Sequence, residues 1–188
     1  MPRFTRAELE SYRDAEVPDL IGSGIRLLFV GINPGLWTAA TRTHFAHPAN
    51  RFYPALERAG ILERPVPPGA VMDEAAQQAL CARGLGITNL VPRATARADE
   101  LSAEELAEGA ERLAALVART RPRVVAVLGI TAYRQAFGRR KAVAGRQPEG
   151  IGDAELWVLP NPSGLNAHQT IDTLAVAYAE PARAAGLL

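Results

Sequence analysis

The stretch Arg26-Leu27-Leu28-Phe29-Val30-Gly31-Ile32-Asn33-Pro34-Gly35 decides how the rest of the 188-residue chain is read. Its first half is an apolar run of strand length, and its second half is a glycine-flanked turn leading through Leu36-Trp37-Thr38 into a polar loop. A buried strand therefore ends in a rigid corner. Pro34 has no amide hydrogen and a fixed φ, while Gly31 and Gly35 admit a close backbone approach or a positive φ. Asn33 is presented at the strand tip, offering an amide oxygen and an NH2 group that cannot ionise. Taken alone, Asn-Pro-Gly reads as an Asx turn whose side chain bonds its own backbone. A second Asn-Pro, Asn161-Pro162, at the far end of the chain raises the functional reading above that one.

Working outward, three more apolar runs have the character of strands: Gly86-Ile87-Thr88-Asn89-Leu90-Val91, Val124-Val125-Ala126-Val127-Leu128 and Leu156-Trp157-Val158-Leu159. The Val124 to Leu128 run is uninterrupted and β-branched, as expected of a strand buried on both faces. Helical segments lie between them. Asn50 is placed to cap a helix through Phe52, Leu56 and Ala59, and a second helix runs from Met72 to Arg83. Ser102-Ala103-Glu104-Glu105 has the spacing of a capping box, and Leu106, Ala110, Leu113 and Val117 share one face of the helix from Ser102 to Arg119. A short helix passes through Tyr133 and Phe137, and a last one runs from about Gln169 to Ala185. Residues 1 to 24 form an N-terminal lead-in, helical from Arg6 to Arg13, and Gly138 to Gly150 is a basic, glycine-rich loop or short hairpin.

Strands alternating with helices predict an α/β, single-domain, three-layer fold over residues 1 to 188, with a four-stranded parallel sheet flanked by helices and right-handed crossovers. Ligands of such folds sit outside the carboxyl ends of the strands. Here those ends are Gly31 to Gly35, Asn89 to Arg93, Gly129 to Thr131 and Asn161 to Asn166.

The composition, 48% hydrophobic and 22% charged, is that of an ordinary globular chain. No run has the length of a membrane span and the first residues lack the apolar core of a signal peptide, so a cytoplasmic protein is expected. Cys81 is the only cysteine, which excludes an internal disulfide and a cysteine metal cluster. The net charge is only +1, yet it is distributed in blocks. Arg119, Arg121, Arg123, Arg134, Arg139, Arg140, Lys141 and Arg146 occur with no acid among them, whereas Asp99, Glu100, Glu104, Glu105, Glu108 and Glu111 occur with no base. A basic face for phosphates is compatible with such a total.

Neither a P-loop nor a dinucleotide fingerprint is present, and Ser163 lies in Pro-Ser-Gly rather than in a nucleophile elbow. His44 and His47 are three apart but have no carboxylate or cysteine beside them in sequence, so no metal is expected there. Four ordered motifs at strand ends do carry a resemblance. Gly31 to Gly35, His44-Phe45-Ala46-His47-Pro48-Ala49-Asn50-Arg51-Phe52, Gly86 to Val91 and Asn161-Pro162-Ser163-Gly164-Leu165 together resemble the mismatch-specific uracil/thymine DNA glycosylases of the uracil-DNA glycosylase superfamily. The likeness runs from about Arg26 to Tyr178, and departs from the family at Asn166-Ala167, where some members carry serine and arginine.

What the resemblance implies is a monofunctional glycosylase that flips uracil, or another mismatched or damaged pyrimidine, out of duplex DNA and hydrolyses its N-glycosidic bond, with G·U mismatches preferred. By resemblance Asn33 holds the attacking water, Phe45 stacks on the flipped base, and backbone N–H groups near Ile32 and Phe45 serve its carbonyl oxygens. Thr38 and Asn89 line the pocket. Gly164 and Leu165 form a wedge that fills the vacated space, in a DNA-contacting segment that includes Asn161, Ser163 and Asn166. Asp99, downstream of the second strand tip, is a second candidate for activating water, with a helix-dipole role as the alternative. Asn89 stands where a Schiff-base lysine would sit, hence the monofunctional reading. A monomer without cofactor or metal is expected, with damaged duplex DNA as its partner. A lesion-binding module that does not cut, and a nucleotide hydrolase of another α/β family, remain as alternatives.

Overall fold

The computed structural model describes residues 3–188. Met1 and Pro2, the start of the expected lead-in, lie outside the described residues. The central sheet is built from β1 (Leu27–Gly31), β2 (Leu85–Asn89), β3 (Val124–Leu128), β4 (Gly145–Arg146) and β5 (Glu155–Leu159), in the spatial order β2-β1-β3-β5-β4. β2, β1, β3 and β5 are parallel and are the four strands expected from the sequence. The sheet has one strand more than expected. Gly145 and Arg146 pair antiparallel with Val158 and Trp157, so the basic loop contributes an edge strand too short to show a period in sequence.

Both faces of the sheet are apolar because both are covered. Leu27 and Phe29 of β1 point into a core shared with α3 (Phe52–Arg58), α4 (Glu74–Ala82) and α7 (Ile171–Ala184), while Leu28 and Val30 point into a core shared with α5 (Ala103–Thr120) and α6 (Ile130–Ala136). Alternation with period two and a helix layer on each side explain the continuous hydrophobic runs. The expected capping box is present: Ser102 Oγ accepts from Glu105 N–H, and Glu105 returns a bond to Ser102 N–H. Gly109 lets α5 close on the second strand exit, since a Cβ there would stand 2.5 Å from the Leu90 carbonyl oxygen.

Two local features depart from the sequence reading. The polar loop expected after Gly35 begins as a helix, α2 (Leu36–Thr41), which Gly35 opens in extended conformation and Arg42 ends with φ of 52°. Six residues with two threonines carry no helical period, so pattern reading misses it. The lead-in is helical over α1 (Arg6–Glu10) and then covers an open sheet edge. Leu20 pairs antiparallel with Ile87 of β2, and Thr88 Oγ1 donates to Asp19 at 2.6 Å. An otherwise unpaired edge strand is thereby closed.

Candidate active site

The carboxyl ends of the parallel strands open into one cavity of about 790 Å³. Asn33, Ile32, Thr38, Phe45, Asn89, Asn161, Ser163, Gly164, Leu165 and Asn166 all line it, so one cavity brings together ten of the eleven residues named from the sequence. Asn33 at the exit of β1 and Leu165 beyond β5 face the same space.

The orientation of Asn33 follows from its neighbours. Its Nδ2 donates to the carbonyls of Pro34 at 3.1 Å and Arg93 at 3.2 Å, and to Thr95 Oγ1 at 2.7 Å. Carbonyls can only accept, which fixes the NH2 group on that side and leaves Oδ1 on the other. No donor among the described residues reaches Oδ1. Thr95 is fixed as well, because its single hydroxyl hydrogen goes to the Arg97 carbonyl at 2.7 Å. The carboxamide is thus locked as an acceptor at the cavity wall.

Neither glycine of the Gly31 to Gly35 turn uses a positive φ. Gly31 is needed for room, since a Cβ there would stand 2.4 Å from Asn89 Oδ1 and 3.2 Å from Phe45 Cζ. The left-handed backbone sits instead at Phe45, with φ of 56°. A bulky residue in that region costs about 1–2 kcal/mol, and such strain concentrates at functional sites. The Phe45 ring lies 4.1 Å from that of Phe52, tilted by 32°, and Phe45 lines the cavity. Backbone N–H groups of Ile32 and Phe45 find no backbone acceptor among the described residues.

His44, where no metal was expected, is buried and orients Asn89. Its Nε2 lies 3.0 Å from the Pro18 carbonyl and must carry the proton, so Nδ1 is left to accept from Asn89 Nδ2 at 3.4 Å. Burial holds the imidazole below its ordinary pKa, which keeps this neutral form. Asn89 Oδ1 then stands over Gly31 on the cavity side.

At the opposite rim, Leu165 is 87% exposed, which excludes a buried staple under the last helix. Side chains of its turn help to shape it. Asn161 Oδ1 accepts from Ser163 N–H at 2.9 Å, Ser163 Oγ accepts from Leu165 N–H at 3.3 Å, and Asn166 Nδ2 donates to the Asn161 carbonyl at 3.1 Å.

The Uracil DNA glycosylase superfamily profile matches residues 18–180, most of the chain and every motif just described. The chain belongs to the uracil DNA glycosylase superfamily. A solution structure from Methanosarcina acetivorans, provisionally described as a uracil DNA glycosylase, shares the fold with a TM-score of 0.61 at 17% identity, over 92% of this chain and 96% of that one.

One expected site residue of this superfamily member stands apart. Asp99 lies in the 3-10 turn Ala98–Glu100, outside the cavity lining, and both its oxygens are taken by Arg97 at 3.0 and 2.6 Å. That guanidinium holds its carboxyl below the usual range. Asp99 therefore presents no free carboxylate to the crevice. Thr95 and His44 were not singled out for these roles by the sequence, since nothing local distinguishes a threonine that receives an amide bond from one that faces water. Among the described residues no group of three or more His, Cys, Asp or Glu could hold a metal ion, and no helix is long and apolar enough to cross a membrane.

Proposed function

We propose that this protein is a monofunctional, mismatch-preferring uracil-DNA glycosylase: it hydrolyses the N-glycosidic bond of uracil, and of other mismatched or damaged pyrimidines, flipped out of duplex DNA. The observation that carries the reading is the locked Asn33 carboxamide, its acceptor free, sharing a cavity with the Phe45 ring and the exposed Leu165 side chain.

The step breaks the C1′–N1 bond, whose electron pair leaves with uracil, and forms a bond from water oxygen to C1′. Positive charge grows on the sugar and negative charge on the base, so positioning and charge stabilisation dominate. Asn33 Oδ1 accepts a hydrogen bond from the water and aims its lone pair at C1′. As an amide it takes no proton; that proton goes to solvent, and the chemistry is correspondingly slow. The free Ile32 and Phe45 N–H groups serve the uracil carbonyl oxygens. Asn89 reads the Watson–Crick edge, Oδ1 accepting from N3–H and Nδ2 donating to O4, a pattern that cytosine reverses. Thr38 lines the pocket, and no step is assigned to Asp99.

Opening a G·U pair costs less than opening a matched one, which favours mismatches before any base is read. Leu165 enters the duplex and offsets the lost stacking, with Gly164 giving the turn its close seat and Asn161, Ser163 and Asn166 shaping it. An end-labelled duplex with one G·U pair, incubated with the protein and heated in alkali, tests the reading. Scission at the uracil is expected; an intact strand with a gel shift would instead describe a lesion-binding module.

A further inference from the structure

Arg51, the residue before α3, ties the Leu165 turn to the rest of the protein. Its backbone N–H donates to the Pro162 carbonyl at 3.0 Å. Its guanidinium donates to the carbonyl of Asn166 at 2.8 Å and to those of Ser163 and Gln169. Among the described residues, no other group outside 161–173 makes a hydrogen bond to residues 162–169. The turn is also pressed against the same segment, since a Cβ on Gly164 would stand 2.8 Å from both the Cβ and the carbonyl oxygen of Ala49. A loop without regular structure, carrying an apolar side chain into water, is thus held from one short segment, and its only side-chain hydrogen bonds from outside 161–173 among the described residues come from Arg51.

The next residue, Phe52, is the ring against which Phe45 lies. One short segment therefore supports the base pocket through Phe52 and the loop through Arg51. We infer that Arg51 is a positioning residue for the Leu165 plug and sets the preference for uracil that must be extracted from a base pair. The inference rests on the glycosylase reading. A loop already ordered loses little entropy when it enters the duplex, whereas a loose one must be ordered at the expense of the insertion. A guanidinium fork can serve three carbonyls in a fixed plane, and a lysine ammonium on a flexible stem cannot reproduce that geometry.

Wild type, Arg51→Lys, Leu165→Ala and the double variant would be compared under single-turnover conditions. One substrate is a G·U duplex; the other is the same duplex with an abasic analogue opposite the uracil, which leaves no pair to break. Both carry 2-aminopurine beside the uracil to report unstacking. With Arg51→Lys, uracil release from G·U is expected to fall about tenfold and the fluorescence rise to slow with it, against less than about threefold for unopposed uracil. In the Leu165→Ala background the lysine should add no further loss, because no plug remains to be aimed. Gly164→Ala, which would push the turn off Ala49, should reproduce the same selective loss should the lysine variant fold poorly. Equal losses on both substrates, or full additivity with Leu165→Ala, would overturn the role of Arg51 while leaving the glycosylase reading intact. A wild type that releases uracil from neither duplex overturns the glycosylase reading and this inference with it.

Discussion

Asn33 Nδ2 lies 2.7 Å from the hydroxyl of Thr95, and the same hydroxyl donates to the Arg97 carbonyl. A relay with one direction joins the turn after β1 to the segment after β2, and it decides which end of the carboxamide meets the cavity. The segment after β2 is itself braced. Arg93, whose carbonyl also receives Asn33, is held by Glu105 at 2.6 Å and Asp14 at 2.8 Å. The acidic block around the start of α5 thus serves partly to fix the backbone that orients Asn33.

Replacing Asn33 with alanine removes the acceptor that the proposed mechanism uses to aim water and leaves the rest of the cavity and the Leu165 turn in place. Uracil release should fall by about a hundredfold, since misplacing a reacting group costs on that order. Binding of a G·U duplex should stay within a few-fold of wild type. Single-turnover cleavage beside a gel shift separates the two, and undiminished cleavage would remove Asn33 from the mechanism.

Thr95→Val keeps the shape but takes away the oxygen that receives Asn33 Nδ2. The carboxamide then has freedom to turn, and about a tenfold loss in kcat with little change in KM is expected, because on the proposed mechanism the interaction lost positions water rather than holds substrate. Thr95→Ser should restore most of the rate. A valine variant with wild-type kcat would show that the two carbonyls hold Asn33 unaided.

How far the sequence could be read depends on the range of the signal. β1, β3 and α5 were legible because their patterns are local: unbroken apolar runs for the strands, a capping box followed by one apolar face for the helix. That Asn33, Phe45 and Leu165 share one cavity was foreseeable because each sits in a motif at or beyond a strand end. α2 and β4 were not, being too short to show a period. Thr95, His44 and Arg51 act through partners far away in the chain, and a single sequence carries no record of such pairings. Asp99 shows the same limit: it is absent from the cavity lining. It has the right charge near the right strand end, but Arg97, two residues before it, takes both its oxygens.

His44 makes the protein sensitive to acid. Its imidazole is 5% exposed, and burial places its folded pKa below the ordinary value of 6.5, despite opposing contributions from the Pro18 carbonyl and Asp19. Between the depressed folded value and 6.5 the unfolded chain binds the proton and the folded one does not. The stability from neutral His44 is therefore present above 6.5 and is lost as pH falls below it. Thermal unfolding followed from about pH 7 to about pH 5 should show a steeper decline for wild type than for His44→Gln. Parallel declines would mean that this residue does not contribute to the acid limb. Uracil release should hold through that interval and fall only at the lower pH where the folded imidazole itself takes a proton, because a proton on Nδ1 would oppose the Asn89 amide.

Gly31→Ala tests the floor of the pocket without altering any hydrogen-bonding group. The backbone there is ordinary strand, so alanine strains no dihedral; its methyl would instead meet Asn89 Oδ1 at 2.4 Å and Phe45 Cζ at 3.2 Å. Both neighbours are side-chain ends on the cavity wall and can yield by turning into the space a base would occupy. The structural cost should stay within the usual range for overpacking, about 1–3 kcal/mol. The catalytic cost should be the larger one, with kcat/KM on a G·U duplex falling about tenfold or more as Asn89 and Phe45, proposed to read and to stack on the base, leave their places. Steady-state kinetics together with the melting temperature separate these effects. Full activity at an unchanged melting temperature would mean that Asn89 and Phe45 have slack the packing does not show, and would remove the close fit at Gly31 as the basis of base selection.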